Sequence, residues 1–198
     1  MQSIQTVSEN TIYVGASDRR LAKFENLFPI PRGVSYNAYV ILDEKTALLD
    51  TADASVGAQF LENVAAALDG RKLDYLIVDH MEPDHAAMIE AVLVRWPDLR
   101  LVVNAKTLPM LKMYFPTDSA AIDDALVVKE GDTLDLGKHK LTFVMAPMVH
   151  WPEVMMTFDT NTGTLFSADA FGTFGALEGA LFADEVDFAG KWLDDADR

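Results

Sequence analysis

One apolar run that breaks off into ionisable residues constrains this chain more than any other feature. LDYLIVDHMEPDHAAM (residues 73–88) passes from buried-type strand residues directly into Asp79, His80, Glu82, Asp84 and His85. A short strand of this kind places the polar residues in a loop at its C-terminal end. The following AAMIEAVLVRW (86–96), halted by Pro97, predicts a helix. Pro83 biases Glu82 toward an extended backbone. Alternate residues of an extended segment point the same way, so His80, Glu82 and Asp84 can face one pocket while the turn into the helix brings His85 round. Asp84 alone can be explained as a helix N-cap, and the whole stretch as a solvated acidic loop. Neither reading accounts for two histidines and a glutamate beside it, and a metal site does.

The elements around this loop define the fold class. TIYVGA (11–16), SYNAYVIL (35–42) and TALLDT (46–51) read as strands, the last two joined by a polar hairpin loop. VGAQFLENVAAAL (56–68) has Phe60, Leu61, Val64 and Leu68 at helical spacing, and the glycine of DGR ends it. LRLVVN (99–104) is a strand and TLPMLKMYF (107–115) a helix. Beyond them the pattern changes to short strands in 125–147, turning at KEGD and LGKHK, and a hairpin in 154–169 with NTG as its turn. Alternating β and α elements followed by a β-meander predict an α/β sandwich with loops gathered at one edge. No glycine-rich nucleotide fingerprint follows any strand. EVDFAGKWLDDADR (185–198) reads as an amphipathic helix with Phe188 and Trp192 on one side, ending in a charged run without a capping glycine.

Composition narrows the chemistry. The chain has 16 basic and 31 acidic residues, a formal charge of −15, which argues against phosphate-backbone binding and so against nucleic acid. There is no cysteine. Disulfides, thiolate metal sites and a cysteine nucleophile are therefore excluded, and any metal is held by His, Asp and Glu. Apolar runs such as VAAAL fall far short of the ~20 residues of a membrane span, and MQSIQTVSEN lacks the features of a signal peptide. A cytoplasmic protein without membrane contact is expected.

Two further residues stand at strand exits. His150 follows LTFVMAP in PMVHWPE, and Asp169 closes TLFSAD. Taken singly, such a histidine is more often structural and such an aspartate more often a turn former. Beside an existing cluster they join a set of His80, Glu82, Asp84, His85, His150 and Asp169. The carboxylate of Asp169 has two oxygens and can bridge two cations. Three imidazoles with three carboxylates lean toward iron or manganese, although zinc accepts such ligands too. The fourth histidine, His139, lies between lysines in a hairpin turn and is expected to be exposed and inert. Trp151, Phe171 and Phe174 flank the loops, where ordinary packing is the simpler expectation.

HMEPDHA (80–86), PMVHWPE (147–153) and LFSADAFGTFGAL (165–177), in this order, together with 24–51, closely resemble the metallo-β-lactamase-like domain of the flavodiiron proteins, or A-type flavoproteins. The resemblance implies an αββα sandwich and two non-haem irons. His80, Glu82 and His150 would hold one, Asp84 and His85 the other, with Asp169 bridging. It implies reduction of O2 to water or of NO to N2O, a head-to-tail homodimer, and a rubredoxin-like or flavin reductase protein as electron donor. Hydrolases of the superfamily commonly carry histidine where this chain has Glu82, and the added negative charge suits iron. Family members take a further histidine and a flavodoxin-like FMN domain from later sequence. Neither is found here, so residues 1–198 are expected to be a C-terminally truncated, partial domain. A metal-dependent hydrolase and an inactive remnant are the alternatives.

Overall fold

The computed structural model describes residues 3–116 and 119–191. Its N-terminal part supplies β1 (Gln5–Ser8), β2 (Thr11–Tyr13), β3 (Ala16–Asp18), β4 (Lys23–Phe24), β5 (Phe28–Pro29), β6 (Val34–Tyr36), β7 (Tyr39–Leu42) and β8 (Thr46–Leu49). Helix α1 (Gly57–Leu68), β9 (Tyr75–Ile77), α2 (Pro83–Ala86), α3 (Ile89–Arg95), β10 (Arg100–Asn104), α4 (Thr107–Tyr114), α5 (Ser119–Asp123) and β11 (Leu126–Val128) follow. The meander is β12 (Thr133–Asp135), β13 (Lys140–Met145), β14 (Met155–Asp159) and β15 (Thr164–Phe166), and α6 (Phe188–Lys191) comes last. Trp192 and the rest of the expected terminal helix lie outside the described residues.

Seven strands form the larger sheet in the order β1-β2-β7-β8-β9-β10-β11. Its first four strands are antiparallel neighbours, and β8 to β11 run parallel. The meander makes a second, antiparallel sheet, β12-β13-β14-β15. Period-two alternation sorts each central strand between two cores. Val40, Leu48, Leu76, Val78, Leu101 and Val103 face the helices, packing with Phe60, Val64, Leu68, Ile89 and Leu111. Ile41, Leu49, Ile77 and Val102 point the other way, onto Leu141, Phe143, Met155 and Phe166 of the second sheet. The described residues thus supply three layers: helices, large sheet, small sheet. On the other side of the small sheet Val144 and Leu165 are exposed.

Two predicted strands are each divided in two. Within 11–16, the buried Asn63 of α1 donates its side-chain amide to the carbonyls of Val14 (3.2 Å) and Gly15 (2.9 Å), drawing the chain out of the large sheet. A β-carbon on Gly15 would lie 2.0 Å from the carbonyl oxygen of Tyr36, so only glycine fits. The partner segment 35–42 breaks at the same level, leaving β3 paired with β6 and β2 with β7. The expected helix 86–96 is also two pieces. Pro83 starts α2 at the first helical position, where its missing N–H costs nothing.

His139 is not the exposed turn residue its lysine neighbours imply. It is fully buried, and its Nδ1 lies 2.8 Å from Oδ2 of the buried Asp159. Asp159 also accepts from the Thr162 hydroxyl (2.6 Å) and the Asn161 N–H (3.0 Å), while the His139 N–H donates to Asp43 (2.6 Å). The pair stitches the β12–β13 turn to the β14–β15 turn. Burial alone raises the Asp159 carboxyl, but the hydrogen bonds from Thr162 and His139 prevail and hold it below its ordinary value. Its contribution to stability is therefore present above the unfolded value of about 3.9 and lost as pH falls below it. Asp159→Ala leaves a buried donor unpaired and is expected to cost about 1–3 kcal/mol. Urea denaturation at neutral pH measures this, and the deficit should shrink in acid.

Candidate metal centre

The parallel strands β8 and β9 end side by side, and the site is built on their exits. Asp50, just after β8, takes a left-handed backbone (φ 54°) that aspartate tolerates. Its Oδ1 accepts the N–H of Asp79 at 2.7 Å and its Oδ2 faces His85 Nδ1 at 3.0 Å. The carbonyl of His85 accepts both the N–H (2.8 Å) and the hydroxyl (2.6 Å) of Thr51. The second sheet joins through β14, whose Met155 N–H donates to the Asp79 carbonyl (3.0 Å) and whose Thr157 hydroxyl donates to the Asp79 carboxylate (2.8 Å). Loops from both sheets are thereby fixed to one edge.

All six residues predicted from the sequence converge there, in two groups. His80, Glu82, His150 and Asp169 each present one donor atom, all within 4.8 Å of one another, and Asp84, His85 and Asp169 do the same. In the first group His80 Nε2 lies 3.1 Å from Glu82 Oε2 and 3.2 Å from Asp169 Oδ2. His150 Nε2 lies 2.7 Å from Glu82 Oε2 and 3.2 Å from Asp169 Oδ2. In the second, His85 Nε2 is 2.7 Å from Asp169 Oδ1 and 3.6 Å from Asp84 Oδ2. Asp169 therefore turns one oxygen to each group.

The local backbone explains the division. Glu82 is extended (φ −60°, ψ 146°) and caps α2 without a side-chain bond to it, so its carboxylate stays with His80 and His150. Asp84 and His85 are already in the first helical turn and point elsewhere. Asp84 is thus neither the N-cap nor the third member of an extended alternation. Its Oδ1 is buried with no hydrogen-bond partner.

The electrostatics are those of crowded carboxylates. Burial pushes the Asp84 carboxyl up to about 7. Burial opposes protonation of His80, yet its contacts with Asp169, Glu153 and Glu82 raise it to about 11. Burial also opposes the charge on Asp169, but His80 and His85 hold its carboxyl far below the usual range. Asp79 is raised by burial and by the charge of Asp50. Donor atoms 2.0–2.2 Å from a shared cation sit about 3 Å from each other, which matches these spacings. Imidazole and carboxylate donors, a buried oxygen without a partner, and one carboxylate facing both groups all fit a pair of divalent cations.

Two residues of the site lay unread in the sequence: Asp50, behind His85, and Glu153, whose Oε1 lies 2.8 Å from His80 Nδ1. Asp50 ends a strand just as Asp169 does, and Glu153 closes PMVHWPE, so position offered a signal for both. The flanking aromatics differ among themselves. Trp151 sets its ring edge-on to His80 at 5.4 Å, and Phe174 packs on Phe24 at 5.2 Å. Phe171 is instead 86% exposed. A cavity of about 260 Å³ reaches His85, Asp50 and Asp79. The larger one, about 480 Å³, has no histidine or carboxylate in its lining.

Two stacked sheets with imidazole and carboxylate groups gathered at one edge define a metallo-β-lactamase-like domain. A family model described as ODP family beta lactamase matches residues 34–192, and the chain belongs to that family. It is 38% identical over 183 residues to the anaerobic nitric oxide reductase flavorubredoxin of Klebsiella pneumoniae, covering 91% of this chain and 37% of that protein. It is 36% identical to a nitric oxide reductase of Moorella thermoacetica, covering 96% and 47%. Among solved structures, the flavodiiron protein of Giardia intestinalis superposes with a TM-score of 0.88 at 28% identity, covering 96% of this chain and 45% of that one. Rubredoxin oxygen:oxidoreductase of Desulfovibrio gigas gives 0.88 at 30%, covering 95% and 46%. The chain spans less than half the length of these relatives.

Because both groups share Asp169, its loss should weaken both. Asp169→Ala is expected to lower the affinity for both divalent ions, while His85→Ala leaves one ion bound at near its original affinity. Titration of the metal-free protein with ferrous iron under anaerobic conditions distinguishes the two variants.

Proposed function

We propose that this chain is the metal-bearing part of a flavodiiron-type reductase that reduces NO to N2O, O2 to water, or both. The observation that carries the reading is the pair of donor groups joined by Asp169, with the carboxylate of Glu82 in the first of them. The names of the relatives point the same way. His80, Glu82 and His150 would hold one iron and Asp84 and His85 the other, with Asp169 facing both. When bound, two ferrous ions would supply two electrons, enough with two protons to turn two NO molecules into N2O and water, whereas O2 to two waters takes four electrons and four protons, the other two electrons coming from the reduced flavin.

The chain's own residues set the conditions. Glu82 in place of an imidazole adds negative charge, which favours oxidisable iron over zinc. His150, whose side chain is 56% exposed, marks the open side through which a small gas enters. Trp151 lies edge-on to His80, ring centroids 5.4 Å apart. Electrons arrive through an FMN carried on a flavodoxin-like domain of the longer protein, fed by a rubredoxin-like or flavin reductase donor. A head-to-tail homodimer in the cytoplasm belongs to the same reading. No helix among the described residues is long and apolar enough to cross a membrane.

Metal analysis of anaerobically purified protein tests this directly. Two irons per chain of the full-length protein, and NO or O2 consumption with a supplied reductant, are expected. Two zincs with ester or phosphoester hydrolysis would overturn it. Glu82→His is expected to move the metal preference from iron toward zinc, read as the ratio bound from an equimolar mixture. Unchanged iron loading and turnover would remove Glu82 from the account.

A further inference from the structure

A histidine that gives one ring nitrogen to a cation must place the proton of the other, and its partner there fixes both tautomer and ring orientation. The three imidazoles of this site differ in that respect. His85 has Asp50 behind it, Oδ2 to Nδ1 at 3.0 Å. His80 has Glu153, Oε1 to Nδ1 at 2.8 Å, with both side chains fully buried. His150 has no carboxylate behind it among the described residues. It makes its contacts through Nε2, and its side chain is largely exposed.

Glu153 is itself held from several directions. Its Oε1 also accepts the Met81 N–H at 3.0 Å, so one oxygen receives both donors. Its Oε2 is buried without a partner. The carbonyl of Glu153 accepts the side-chain amide of Asn104 at 2.5 Å. The Oδ1 of Asn104 in turn accepts the N–H groups of Lys106 (2.8 Å) and Thr107 (3.1 Å) at the start of α4. Lys106 Nζ reaches the Pro152 carbonyl at 3.0 Å. The loop after β13 is therefore tied to the β10–α4 junction, and that tie aims the carboxylate at His80.

We propose that Glu153 is the positioning residue of the first metal position. It holds His80 with the proton on Nδ1 and Nε2 turned toward Glu82, His150 and Asp169, and its unshared charge strengthens Nε2 as a donor. His80 is then the preset ligand, and His150 the adjustable one that completes the shell. Asn104 acts through Glu153 and not on the metal. This rests on the reading of the six residues as iron ligands, and it adds an order among them that those residues alone do not show.

The test compares Glu153→Gln and Glu153→Leu with the unaltered full chain, each loaded anaerobically with ferrous iron. Iron content, the rate of iron release to a ferrous chelator, the Mössbauer doublets and the melting of the metal-free form are recorded. Glu153→Leu is expected to hold one iron about 10–100-fold more weakly, the range for loss of such a partner, read as faster release of that iron, and to leave the second near its original rate. Glu153→Gln keeps an acceptor oxygen without the charge. It is expected to retain two irons, with an intermediate release rate for one and a change in one doublet only. Release from Glu153→Gln at the original rate with both doublets unaltered overturns the proposal, whatever the melting of Glu153→Leu. Equal loss of both irons overturns it as well. If the unaltered chain takes up no iron, it is the reading of the ligands that fails.

Discussion

Six carboxylates, Asp50, Asp79, Glu82, Asp84, Glu153 and Asp169, surround His80, His85 and His150 at one edge of the sandwich, and the rest of the structure answers to that crowding. Like charges so close in a weakly polar interior repel strongly unless cations or protons stand between them. The protein shares the task in two ways. The carboxyl of Asp79 is raised well above its ordinary value by burial and by Asp50, with the Thr157 hydroxyl donating to it, and burial raises that of Asp84 to about 7. The others converge on imidazoles, as the contacts of His80 with Glu82, Glu153 and Asp169 show. An arrangement that must be neutralised from within is one that selects for bound cations.

Such a cluster survives only on a rigid frame. The frame consists of parallel strands buried on both faces, with Leu76 and Val78 in the helix-side core and Ile77 in the inter-sheet core. That alternation leaves β9 no freedom of register, since a slip of one residue would exchange the two faces. His80 thus leaves the sheet in a fixed direction. The Met155 N–H on the Asp79 carbonyl then locks the second sheet to the same exit, which brings His150 and Asp169 within reach although they are 70 and 89 residues from His80.

What the sequence disclosed follows the same physics. The run from Asp79 to His85 was legible because a buried strand and its polar exit are adjacent in the chain. His150 and Asp169 were legible as strand ends, and the cluster already present in the chain drew them into the set. The helix spacing of Phe60, Val64 and Leu68 was legible as well, and all three are buried. Asp50 and Glu153 offered only the signal of position, because each acts through a side chain contributed by a different segment. His139 misled for the same reason: its lysine neighbours face water, while its own ring is drawn inward by Asp159, twenty residues away. The divided strands trace to Asn63, a helix residue whose amide takes carbonyls that a sheet would otherwise use. Local pattern reports which way a segment leans, and pairing across the fold decides what it touches.

The two donor groups are anchored on different supports, and this bears on how they communicate. His80 is backed by Glu153 on the loop after β13, and His85 by Asp50 after β8. Asp169 is the only residue common to both groups among the described residues. It stands on a stretch after β15 where Ala168 and Phe171 both take left-handed backbone angles, φ 48° and 68°. Neither is a glycine, so each conformation carries a cost that the surrounding contacts must offset. The Ser167 hydroxyl on the Ala170 carbonyl (2.9 Å) and the Gly172 N–H on the Asp169 carbonyl (2.9 Å) close this turn tightly. The bridge between the groups is thus a single carboxylate held by local turn geometry. A shift in that turn moves both groups together, whereas a shift behind His80 or His85 moves one alone.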